Sequence, residues 1–233
     1  MTLRTGRLAV MGRVIAFDVN ETLLDLAALD PHFERAFGSA AVREQWFGQM
    51  LQVAFVGGLT GRYVDFSSAQ RAALAMVAEH HGVDLDARTA ETIATSMRSL
   101  PAHPEVADAL DALRAAKLPL AAITNSPLDV AQQQLRGAGL ADRFDAILSA
   151  DQVRALKPRP EPYELVARSF GVRLPDVRLV AAHAWDVAGA MAAGCAAAFV
   201  ARPGKVLNPL GQPPDIVGAD LHEVAARIIE IDG

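Results

Sequence analysis

A single cysteine among 233 residues, Cys195, excludes an internal disulfide. It sits in the run AAGCAAAF, whose small apolar neighbours mark a packing residue, because buried apolar thiols are unreactive. Long hydrophobic runs are missing too. None approaches the roughly 20 residues that a spanning helix needs, and nothing resembles a signal peptide. A cytoplasmic protein without membrane contact is expected. There is no surplus of positive charge. The formal net charge of −5 argues against a nucleic-acid partner or an anionic membrane surface. It leaves room for an anionic small molecule in a locally positive pocket. Internal repeats and low-complexity tracts are also absent, and the leading MTLRTGRLAV reads as a disordered tail, with Met11 a second start before the first strand.

What is present is an ordinary globular composition, 52% hydrophobic and 21% charged, over a length that accommodates one full domain and a smaller one. Short apolar runs alternate with amphipathic stretches, the pattern of an α/β protein with a mainly parallel sheet. Strands are predicted at Val14–Phe17, Leu118–Thr124, Ala146–Leu148, Val177–Ala182 and Ala197–Val200. Helices are predicted at Leu128–Ala138, Pro160–Phe170 and Asp186–Ala193. About a hundred residues separate the first two strands, far more than one crossover helix requires. That gap is helical in pattern over Glu44–Phe55, Ser67–His80 and Ala87–Ser99, and the chain returns to the sheet through Pro104–Ala116. The expected architecture is a Rossmann-like core, residues 12–25 and 101–233, with an inserted helical cap, residues 26–100. Ligands of open parallel sheets bind at the carboxyl ends of the strands, so this insertion would cover the site.

Four segments fall at strand ends: FDVNETLLD with Asp18 and Thr22, ITNS with Thr124 and Asn125, LKPRPEPY with Lys157, and AAHAWD with His183 and Asp186. Each has an ordinary structural reading. An Asp after a strand is often a cap or turn residue, and Lys-Pro is often a solvated lysine at a helix start. The ordered recurrence of acid, polar pair, lysine and acid on successive strand ends favours a site. His80, His81 and His103 are expected in lid or linker helices, solvated.

With these motifs in place, the chain resembles the haloacid dehalogenase superfamily, and within it the L-2-haloacid dehalogenase branch. The resemblance runs from Val14 to the C-terminus. It includes GRYVDF (Gly61–Phe66), the spacing from Lys157 to Tyr163, the AWD triplet and the tail ARPGKV…GQPPD. It implies a hydrolase in which Asp18 displaces halide from a short 2-haloacid to form an ester that water then cleaves. By the same resemblance Lys157 keeps Asp18 ionised, and Thr22, Thr124 and Asn125 fix the carboxylate and the substrate acid group. Asp186 positions the hydrolytic water, while Leu51, Phe66, Tyr163 and Trp185 wall the pocket. No metal or other cofactor is implied, and a homodimer is common among the proteins it resembles.

The departures from that pattern concern the leaving group. An ungapped alignment places Phe47 where the branch carries its halide-binding arginine, Asn20 where an aromatic is usual, and Ala181 and His183 where serine and asparagine are usual. His183 has three readings: a polar supporting residue, a base for ester hydrolysis, or a proton donor to the halide. Fluoroacetate is an expected substrate. Phosphatase members place an acid two residues after the nucleophile, here Asn20, and a further magnesium carboxylate at the position of Ala182. An atypical phosphohydrolase and a non-enzymatic binding protein of the same fold are the alternatives.

Overall fold

The computed structural model describes residues 12–233, so the proposed N-terminal tail lies outside the described residues. The chain enters the core at once as β1 (Val14–Phe17), all four of whose residues are buried. A helical series follows: a 3-10 turn Leu26–Leu29, α1 (Asp30–Phe37), α2 (Val42–Leu59), α3 (Phe66–His80) and α4 (Ala87–Ser96). The rest alternates as α5 (Val106–Ala115), β2 (Leu120–Thr124), α6 (Leu128–Gly137), β3 (Ala146–Ser149), α7 (Pro160–Phe170), β4 (Val177–Ala181), α8 (Ala184–Ala193), β5 (Ala196–Val200), β6 (Ile216–Gly218) and α9 (Leu221–Asp232).

Among the described residues the six strands form one parallel sheet in the order β3-β2-β1-β4-β5-β6. Strands covered on both faces need no polar alternation, and β1 shows why. Ile15 and Phe17 enter one apolar cluster with Val106, Leu110, Val224 and Ile228, while Val14 and Ala16 enter another with Tyr163, Val166 and Val187. The strand order reverses at β1, so its carboxyl end opens on the crevice where α/β folds bind ligands.

The helical gap between β1 and β2 is as expected, with α2 longer than its pattern suggested. Its Trp46, Phe47, Met50 and Ala54 are buried, and the Trp46 indole N–H donates to the Gln70 carbonyl at 3.1 Å, tying α2 to α3. One apolar cluster runs without a break from Phe17 to Trp46 and Met50, so the insertion shares its core with the sheet. No helix among the described residues is long and apolar enough to cross a membrane.

Several boundaries differ from the sequence expectation for local reasons. β2 begins at Leu120 rather than Leu118, because Pro119 has no N–H to give the ladder. β4 stops at Ala181, since the Ala182 N–H donates to the Thr22 hydroxyl (3.0 Å) and leaves the sheet. α8 starts two residues early, with His183 at its N-cap position. The Ala87–Ser99 stretch is α4 followed by a 3-10 turn, Met97–Ser99. β6 and α9 went unpredicted, and the three-residue β6 is too short to show a period. His103 lies outside any helix and is half-buried, with Nε2 3.4 Å from the Glu21 carbonyl, so the solvated reading fails there. Cys195 is buried, and burial pushes its thiol up to about 12.

Candidate active site

The backbone of Asp18 continues β1 by one bond, its N–H donating to the Val180 carbonyl at 3.0 Å, which delivers the side chain to the crevice between β1 and β4. The loop after it closes tightly. The Leu23 and Leu24 N–H groups both donate to the Val19 carbonyl, and Glu21 takes the left-handed conformation with φ 62°. From below, Arg202, just past β5, donates to the Thr22 carbonyl at 2.9 Å and pairs with Glu105 at 2.5 Å. The loop that carries the site is thus pinned by its own turn, by β4 and from just past β5.

Both oxygens of Asp18 are engaged. Oδ1 accepts from the Lys157 ammonium at 2.9 Å; Oδ2 accepts from the Thr22 hydroxyl at 2.7 Å and faces His183 Nδ1 at 3.1 Å. The Lys157 ammonium is wholly buried. It also donates to Asp186 Oδ2 at 2.5 Å and to the Ile123 carbonyl at 3.0 Å, which saturates its three protons. Asn125 clamps the Lys157 peptide from both sides, accepting from its N–H at 2.8 Å and donating to its carbonyl at 3.2 Å. The other oxygen of Asp186 accepts from the Tyr163 hydroxyl at 2.6 Å. That approach needs Gly189, where an added Cβ would stand 2.5 Å from Pro158 Cβ and 2.8 Å from the Tyr163 oxygen.

The charges follow from these contacts. Burial alone would raise the Asp18 carboxyl, but Lys157, His183 and Thr22 overcome it and hold the group far below the ordinary carboxylate range. Burial works against the Lys157 ammonium, yet Asp18 and Asp186 between them raise it above its ordinary value. Asp186 is raised, by burial and by the Asp18 charge against the pull of Lys157. Burial also opposes protonation of His183, but hydrogen bonds to Asp18 and Glu21 prevail and push it up to about 9. With a carboxylate on each ring nitrogen the imidazolium is the favoured form, which speaks against a resting base.

The insertion supplies the apolar wall. Phe47 and Leu51 of α2 and Phe66 of α3 meet Asp18, Asn20, Thr124, Asn125, Lys157, His183 and Trp185 around a cavity of about 10 Å³, room for about one water. The His183 ring stacks with Phe47 at 5.7 Å and 17° and with Trp185 at 5.2 Å and 27°. The Trp185 indole N–H is buried without a partner among the described residues. Asn20 does not face the reaction with a free amide, since it donates to Ser126 at 3.1 Å and accepts from Gln134 at 3.1 Å. Tyr163 reaches the site through Asp186 and is not part of the cavity wall.

The Lys157 ammonium lies between Asp18 and Asp186 and pairs with both. Among the described residues no three acid, histidine or cysteine side chains are grouped to hold a metal.

A family model for haloacid dehalogenase-like hydrolases matches residues 13–194. The chain belongs to this family. As a haloacid dehalogenase-like hydrolase it has well-covered relatives. It is 34% identical over 86% of its length to the (S)-2-haloacid dehalogenase of Pseudomonas sp. (strain YL), of which 88% is matched. It is 30% identical over 91% of its length to haloacetate dehalogenase H-2 of Moraxella sp. (strain B), of which 97% is matched. The structure of L-2-haloacid dehalogenase from Xanthobacter autotrophicus with chloropropionic acid covalently bound superposes with a TM-score of 0.88. It has 28% identity and covers 96% of this chain and all of that one.

Sequence reasoning missed Glu21, Arg43, Arg202 and Lys205. Glu21 lies three residues past Asp18, but its conformation and its contact with His183 carry no sequence signal. The tail ARPGKV was noticed without any role for its two cations.

Proposed function

We propose that this hydrolase cleaves the carbon–halogen bond of short 2-haloacids, haloacetates and fluoroacetate included, through an ester on Asp18 and without a metal ion. The observation that carries the reading is the buried, ionised Asp18 carboxylate, with Lys157 on one oxygen and two donors, Thr22 and His183, on the other. Oδ1 attacks the halogen-bearing carbon, and the halide leaves with the bonding electron pair. Water then adds to the ester carbonyl carbon. Negative charge develops on Oδ2, where Thr22 at 2.7 Å and the His183 imidazolium at 3.1 Å stand at oxyanion-hole distances. Collapse releases a 2-hydroxyacid and one proton and leaves the water oxygen in Asp18. Asp186, raised and held by Tyr163 and Lys157, positions that water.

His183 thus serves the second step, since it touches the nucleophile and the leaving group departs on the far side of the attacked carbon. The free donor for the halide is the Trp185 indole N–H. A small cavity walled by Phe47 in place of a cation suits a two-carbon acid and a small halide that depends on hydrogen-bond donors. Metal independence is supported by the ammonium between the two carboxylates and the imidazolium beside them, which would repel a divalent cation. Residues 26–100 act as a cap over a core of residues 12–25 and 101–233, and the reading requires α2 and α3 to move for substrate entry.

The test is halide release from fluoro-, chloro- and bromoacetate in excess chelator, with single turnover in ¹⁸O-water. Unchanged rates and label in Asp18 before product are expected. Activity lost with chelator and restored by magnesium, alongside cleavage of a chromogenic phosphate ester, would overturn the assignment.

A further inference from the structure

Behind His183, on the side away from Asp18, lies a second carboxylate with an unusual setting. Glu21 Oε2 is 2.9 Å from His183 Nε2, and the same oxygen accepts from the Lys205 ammonium at 2.7 Å. Its Oε1 lies 3.8 Å from the Arg43 guanidinium. Glu21, Lys205 and Arg43 border an open cavity of about 460 Å³ whose wall also includes Phe47, Arg202 and His103. Glu21 is buried, and its backbone is left-handed at φ 62°, a region that L side chains other than Asn and Asp seldom adopt. A long acidic side chain is held there in an unfavourable conformation, aimed at an active-site imidazole.

We infer that Glu21 is a positioning residue that keeps both ring nitrogens of His183 protonated through the ester stage and aims Nδ1–H at Oδ2 of Asp18. The inference rests on the reading of His183 as an oxyanion donor. The reason is a change of charge during turnover. In the resting enzyme two carboxylates flank the imidazole. Once Asp18 is alkylated it is a neutral ester, and Glu21 is the one carboxylate still bonded to the ring. The other charged groups around it are Lys157 beyond Asp18, Lys205 and Arg43 behind Glu21, and Asp186 on the helix of His183, paired to Lys157. Without the Glu21 charge the ring would face mostly cations in a buried site, and such a site disfavours the imidazolium. Burial alone would raise the Glu21 carboxyl, but His183 and Lys205 bring it below its ordinary value and hold it ionised. The neutral ring cannot give the oxyanion a charge-assisted bond, so the step that suffers is ester hydrolysis, with alkylation largely spared.

The experiment pairs NMR titration of the His183 ring with rapid-quench measurement of the Asp18 ester in Glu21→Gln, Glu21→Asn and Glu21→Asp. Asn suits the left-handed backbone, which guards against misfolding. In the Gln and Asn variants the His183 titration should move acid by about one unit or more. The ester should accumulate after a normal first burst of halide, and the alkaline limb of hydrolysis should move with the titration. The Asp variant should recover part of both. An unmoved His183 titration in the Gln and Asn variants overturns the inference. A titration that moves while hydrolysis stays as in the native enzyme upholds the hold of Glu21 on His183 and instead refutes the oxyanion role of His183.

Discussion

The Lys157 ammonium stands 2.9 Å from Asp18 Oδ1 and is completely shielded from solvent, with its remaining protons on Asp186 and a backbone carbonyl. A lysine so buried is tolerable because all three donors are satisfied, and it leaves two carboxylates dependent on it. Lys157→Met should therefore abolish halide release. It should also cost about 3–5 kcal/mol of stability, the usual penalty for stranding a buried charge. Urea unfolding of the variant, set beside Asp18→Asn, checks this. A variant as stable as the native chain would show that the carboxylates take up protons without loss.

The pH dependence of stability has a definite sign. His183 is raised in the folded state to about 9 from an ordinary 6.5, because Asp18 and Glu21 outweigh its burial. A raised histidine contributes stability that is fully present below about 6.5 and is lost as pH rises through about 9. The native protein should lose stability across that window, and His183→Asn should flatten the curve there. Parallel denaturation series from pH 6 to 10 measure it.

Leaving-group preference should respond to the aromatic wall. Trp185→Phe removes the unpartnered N–H and should slow defluorination by about a hundredfold, the common effect of losing one donor to developing charge. Dechlorination should fall less. Phe47→Arg should shift preference towards chloride and bromide. His183→Asn should lower turnover of all three haloacetates by a similar factor and trap the ester, since it acts after the halide has gone. Halide-selective rates on substrates of equal carbon skeleton decide among these. Selective loss of defluorination in His183→Asn would return that residue to the leaving group.

Gly189→Ala tests the packing that brings Tyr163 to Asp186. The new methyl would meet Pro158 Cβ and the Tyr163 oxygen at 2.5 and 2.8 Å. Overpacking of this kind costs about 1–3 kcal/mol. Because Pro158 follows Lys157, activity should fall along with melting temperature. A fully active variant would mean that α8 shifts without disturbing Asp186.

The amino-acid sequence alone determined the order of the first five strands and the strand-end segments that carry the candidate site. Short apolar runs such as VIAF and LAAIT, bounded by polar or turn residues, suit strands covered on both faces, and such strands end where polar residues resume. Asp18, Thr124, Lys157 and Asp186 were legible for that reason, as was a helical insertion in a gap too long for one crossover. Tertiary structure alone decided which partner each group faces and therefore its charge. Asn125 and Asn20 line the cavity, yet one proton of each amide and its oxygen are engaged within the protein, on the Lys157 peptide and on Ser126 and Gln134. His183 has a carboxylate on each ring nitrogen because Asp18 ends β1 and Glu21 is folded back at a positive φ, where Lys205 reaches it from beyond β5. Electrostatic energy depends on distances of a few ångströms between groups far apart in the chain, and no local pattern of residues encodes those distances.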